Sequence, residues 1–178
     1  MKHSFVTAAA ICAALIMATT KPAAAQSVTL NQELLKDWVD MKDAMMKLAN
    51  EMPADKYSFK TTPQQRDFGQ QVVHVAIANV MNLKFLRGKA TPPVIDRRAT
   101  SKSEAMKAMA DSFDYGTALI KEQTDQSMME IVETNQFLGP SSRARVIYFL
   151  LGHSWDIYGQ MVVYLRLNGG VPPASQRP

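Results

Sequence analysis

Two histidines hold most of the chemistry open to this sequence. His74 lies in VVHVA and His153 in LLGHSWD, each inside an apolar run whose spacing of three and four residues predicts a helix. An imidazole in such a stripe is either a metal ligand or a core residue whose ring nitrogens bond to neighbours. Spacing leaves both readings open. Cysteine chemistry is excluded, because the one cysteine, Cys12, lies in a leader expected to be removed together with His3. Of the 12 methionines, ten follow that leader. Thioethers suit Cu(I), but Met45-Met46 and Met128-Met129 are adjacent pairs rather than repeated M-x-x-M clusters, so they read as adaptable core filler. Tyr164 has the spacing of a buried ring with its hydroxyl at a polar partner. Arg166 suits the end of a helix and a pairing with Asp37 or Asp40. Tyr158, Trp38 and Trp155 read as packing residues, with Trp155 off the main stripe.

The expected leader is MKHSFVTAAAICAALIMATTKPAAAQ. Lys2 and His3 precede an apolar run of roughly a dozen residues, and Ala23-Ala24-Ala25 offers an A-x-A cleavage site before Gln26. The run is broken by Thr19, Thr20 and Lys21, well short of the roughly 20 residues of a membrane span. The expectation is a signal peptide at 1–25, a mature chain at 26–178, and a periplasmic or secreted location with no membrane insertion after cleavage. Cleavage takes Lys2 and Lys21 from the 20 basic residues and leaves the 16 acidic ones, for a net charge of +2. That is too weak, and too evenly interspersed, to indicate a nucleic-acid partner. The mature length suits one domain with one core.

The elements that must position the two histidines follow from caps and periodicity. Thr29 or Asn31 opens a first helix with Leu34, Leu35, Trp38, Met41, Met45 and Leu48 on one face, ending before Pro53. Thr62-Pro63-Gln64-Gln65 reads as a capping box with proline at N1, so the second helix is expected from there to about Arg87, with His74 mid-way. A loop marked by Gly88 and Pro92-Pro93 follows. Ser101 and Glu104 form another capping box for a third helix to about Gln123, where Gly116 suggests a close helix approach. A short, weaker element occupies 124–139. The last helix is capped by Ser141 or Ser142, closed by Gly169 and stopped by Pro172-Pro173. Its stripe is Val146, Phe149, Leu150, His153, Ile157, Gln160, Met161 and Tyr164. No strand, repeat, phosphate loop or nucleophile elbow is found. Four helices with a long crossover make a bundle.

Two stretches carry a family likeness: EMPADKYSFKTTPQQRDFGQQVVHVA, and GHSWDIYGQMVVYLRLNGGVPPAS with its YGQ..VYLR.NG.VPP pattern. The sequence resembles the DinB-like superfamily of bacterial four-helix bundles over nearly the whole mature chain. The resemblance implies a zinc or nickel site made by one histidine of the second helix and an H-x-x-x-H pair in the last. It also implies an activity such as thiol-dependent transfer to an electrophile or hydrolysis of amide-type adducts. Carried onto this chain, the ligands are His74 and His153, while the third position holds Ile157. Asp156, three residues after His153, would reach the same face and complete a two-histidine, one-carboxylate set.

The expectation is therefore an all-α, DinB-like four-helix bundle that carries a degenerate divalent-metal site at His74, His153 and Asp156. Zinc or nickel would be held weakly or not at all, because Ile157 stands where a third histidine would. The functional reading is an exported, non-catalytic or weakly catalytic binding or structural module in the bundle cavity, with a homodimer as its expected assembly. The alternative is a metal-dependent transferase or hydrolase using the same three residues. No catalytic residue is assigned.

Overall fold

Of the two caps that the sequence offers, Thr29 opens the first helix. Its hydroxyl accepts the Gln32 N–H at 3.3 Å, and the Gln32 side chain accepts the Thr29 N–H at 3.1 Å, which opens α1 (Leu30–Glu51). The structure is a computed structural model that describes residues 27–99 and 101–176, so the expected leader lies outside the described residues. Four further helices follow: α2 (Phe68–Leu83), α3 (Lys102–Lys121), the single turn α4 (Asp125–Met128) and α5 (Arg143–Leu167). Two-residue strands β1 (Ile131–Val132) and β2 (Ser141–Ser142) pair antiparallel, Ile131 opposite Ser142 and Val132 opposite Ser141. The sequence showed no strand because two residues are too few for alternation to register.

The second helix starts later than its sequence suggested. Residues 63–65 form a turn, and the cap is Asp67, whose carboxylate accepts the Gln70 N–H at 2.7 Å while Gln70 Oε1 accepts the Asp67 N–H at 3.0 Å. The two preceding orphan donors are taken by the lead-in segment: Phe68 N–H donates to the Phe59 carbonyl at 3.1 Å and Gly69 N–H to the Tyr57 carbonyl at 2.8 Å. Thr62 thus loses to a cap supported by tertiary backbone bonds. At the other end of this lead-in, the Tyr57 hydroxyl donates to Ala49 O at 2.8 Å, which ties it to α1.

In the bundle, α1 packs against α3 and α5, and α2 packs against the same two helices. The chain therefore makes long crossovers at 52–67 and at 122–142, whereas 88–101 joins neighbours. The core is built from the predicted faces: Leu34, Trp38, Met41, Met45 and Leu48 of α1 are buried against Phe68, Val72, Phe113, Met109 and Met161. Gly116 lets α1 and α3 meet. A Cβ there would overlap the Trp38 indole, 2.7 Å from Nε1, and that N–H donates to Phe113 O at 2.9 Å. Six of the ten methionines are buried, in keeping with core filling.

The third helix also has a variant start. Ser101 is the cap residue, but its hydroxyl bonds the Glu104 carboxylate rather than a backbone N–H. Lys102 instead reaches back to the carbonyls of Asn50 and Met52, at 2.6 and 3.0 Å, and closes the C-terminal end of α1. The last helix matches its sequence signals closely: Ser142 caps it, accepting the Arg145 N–H at 3.2 Å, and Gly169 follows with φ of 76°. Among the described residues, no helix is long and apolar enough to cross a membrane.

Candidate functional site

The packing of α2 on α5 brings the two histidines together. Their rings meet edge to face, with centroids 5.0 Å apart and planes at 79°. Phe149, one turn before His153, lies parallel to its ring with centroids 6.3 Å apart. Both imidazoles are half-buried, and burial is the main reason both are harder to protonate than an ordinary histidine. His74 is lowered to about 4, first by desolvation, then by the Arg66 guanidinium and by His153, with Asp156 acting in the opposite direction. His153 is lowered by burial and by Arg66, against a raising influence from Asp156. At neutral pH each ring is therefore uncharged and keeps a free nitrogen lone pair. His153 Nε2 is buried without a hydrogen-bond partner.

The seam beside the histidines is polar. Gln71 of α2 donates to Gln160 of α5 at 2.8 Å, and the Gln160 amide donates to the Asp156 carboxylate at 3.1 Å. Asp156 is thus exposed and engaged with the next turn of its own helix. Ile157, only 2 % exposed, sits in the hydrophobic core. Gln71 Oε1 is left buried and without a partner, a second unsatisfied acceptor in the same seam.

The sequence matches the DinB family over residues 25–178. This chain belongs to the DinB family. Its fold is similar to that of a DinB-like protein from Bacillus cereus ATCC 10987, with a TM-score of 0.70 at 19% identity, covering 79% of this chain and 93% of that one. A DinB-like protein from Bacillus subtilis is similar as well, with a TM-score of 0.60 at 14% identity over 82% of this chain and 99% of the other. At these identities the likeness shows the fold. A search of the curated proteins finds no match.

For a metal of the kind the DinB-like resemblance implies, this chain supplies an incomplete donor set. The unpartnered His153 Nε2 beside His74 suits an ion. A catalytic zinc site, however, needs three protein ligands. Among the described residues, no three His, Cys, Asp or Glu side chains come together as a metal-holding group. Two imidazoles alone do not fit such an ion.

The other expectations divide. Tyr164 is a buried ring whose hydroxyl donates to the Arg66 carbonyl at 2.6 Å, as its spacing implied. Trp38 is core, whereas Trp155 is exposed and rests edge-on against Tyr158. Arg166 is exposed and forms no ion pair with Asp37 or Asp40; Asp40 pairs with Lys36 one turn away at 2.5 Å. Sequence reasoning missed Arg66, Gln70 and Arg97, which line a cleft with His74. The four-residue step from Gln70 to His74 within α2 was a readable signal for Gln70. Arg97 comes from a loop, where no periodicity could place it.

Proposed function

We propose that this DinB-family protein is an exported, non-catalytic or weakly catalytic binding module built on a degenerate metal site. The observation that carries this reading is the meeting of His74 and His153 at 5.0 Å with Ile157 in the core and Asp156 held by Gln160. A neutral pair of half-buried imidazoles, with His153 Nε2 and the neighbouring Gln71 Oε1 both without a partner, offers hydrogen bonds to a guest more readily than a coordination sphere. The start of the family match at residue 25, next to the expected cleavage site, is in keeping with export.

One observation favours a second reading. His153 Nε2 is a buried ring nitrogen without a partner, the condition that an ion relieves. In that reading Asp156 turns from Gln160 to join the two histidines, and the protein is a metal-dependent transferase or hydrolase.

Metal content of the mature protein, purified without a histidine tag, separates the two, together with zinc and nickel titrations of the natural protein and of Ile157→His. The binding-module reading expects no stoichiometric metal in the natural protein and tighter uptake once the imidazole is restored. Stoichiometric metal that is lost in His74→Ala or Asp156→Ala would overturn it.

A further inference from the structure

The outward side of α2 forms the floor of a groove that the two-histidine seam does not account for. Arg66 on the turn into α2, then Gln70, His74, Ile77 and Met81, follow one another at steps of four, four, three and four residues. The 88–101 connection lays Pro93, Ile95 and Arg97 over them. A cleft of about 210 Å³ includes Arg66, Gln70, His74 and Arg97 in its lining. A second, of about 150 Å³, is walled by Val80, Met81, Pro93 and Ile95. The two share Ile77 and Arg97, so they form one groove with a cationic end and an apolar end.

The charges in this groove are not neutralised by the protein. Among the described residues, neither Arg66 nor Arg97 forms an ion pair, and no carboxylate lines either cleft. Asp96 is turned to Arg98, accepting its backbone N–H at 2.9 Å, and Asp156 is bound to Gln160. The Arg97 guanidinium has only a long contact to Met81 Sδ, at 4.0 Å. The Tyr164 hydroxyl donates to the Arg66 carbonyl at 2.6 Å, which ties the backbone at this end of the groove to α5. Two guanidiniums flanking a polar cleft suit an oxyanion, and planar carboxylate matches the guanidinium fork. The adjoining apolar walls suit a short alkyl or similar tail, since small-molecule sites combine apolar lining with a few placed polar groups.

We infer that this groove binds a monocarboxylate with a short apolar tail, its carboxylate between Arg66 and Arg97 and its tail along Ile77, Met81 and Ile95. The inference names the ligand class of the binding module proposed above and rests on that reading. Neutral His74 adds a hydrogen-bond partner beside the carboxylate without adding charge.

Octanoate is the probe, titrated into the isotope-labelled mature protein and followed by NMR, with octanol and inorganic phosphate as controls. Saturable shifts are expected at Ile77, Met81 and Ile95, with octanol and phosphate each binding at least about tenfold more weakly than octanoate. Arg97→Gln and Arg66→Gln, both exposed substitutions, are each expected to weaken octanoate by about tenfold, the scale of one lost charge-assisted hydrogen bond. Absence of saturable shifts overturns the inference, as does octanol binding as well as octanoate, phosphate binding as well as octanoate, or unchanged binding in both arginine variants. Any of these failures in a metal-free protein removes the ligand and leaves the module reading standing. Stoichiometric metal removes that reading whatever octanoate does.

Discussion

A neutral imidazole buried beside a guanidinium makes the stability of the protein depend on pH in a definite direction. His74 is lowered to about 4 in the folded chain, against about 6.5 for an unfolded histidine. Between those values the unfolded state binds the proton more readily, so stability rises with pH across the interval. Read downward, the penalty is absent above about pH 6.5, grows as the solution is acidified, and is complete below about pH 4. His153 acts in the same direction. The prediction concerns one side chain, so the comparison must be with a variant. His74→Gln, which keeps a polar side chain and cannot be protonated there, is expected to lose less stability than the natural protein between pH 7 and pH 5. Urea midpoints at the two pH values measure it. Equal losses in both proteins would place the pH dependence outside His74.

At the scale of elements, the helix ends decide how the site is aimed, and the start of α2 is the most instructive. Both Thr62 and Asp67 stand at the head of a capping box in the sequence, with Gln65 and Gln70 three residues on. Local chemistry barely separates them. The choice is made by Tyr57 and Phe59, whose carbonyls receive the N–H groups of Gly69 and Phe68, and by Tyr164, which holds the Arg66 carbonyl. These bonds span crossovers and helices, so no short window of sequence contains them. Asp67→Ala is therefore expected to cost about 1 kcal/mol, the usual effect of losing a cap, whereas Thr62→Ala should stay within about 0.5 kcal/mol. Chemical denaturation of the two variants tests this directly. The reverse order would mean that the helix begins at Thr62 in solution.

For the molecule as a whole, the legible part of the sequence was the part written in periodicity. The faces of α1 and α5, a cap at Thr29 or Asn31, the stop after Gly169 and the close approach at Gly116 all follow from local spacing, and they suffice for a helical bundle. They also bring His74 and His153 to one seam. What periodicity could not supply is competition between partners. Asp156 has the spacing to join His153, yet Gln160 takes its carboxylate, and Arg97 reaches the groove from a loop with no repeat of its own. From Thr29 onward α1 is closed by its own cap, and Asn31 ties it to the end of α3 through the carbonyls of Ile120 and Gln123 at 2.8 and 3.1 Å. A protein beginning at Gln26 thus retains every bond that seats its first helix among the described residues. Expressed with its leader in a bacterial host, the chain is expected to be recovered from the periplasm with an intact mass starting at Gln26. It should also unfold at the same denaturant midpoint as a protein produced directly from Gln26. Recovery of the uncleaved chain in the cytoplasm would sink the export reading, while a lower midpoint for the shortened protein would show that residues before Gln26 support the bundle.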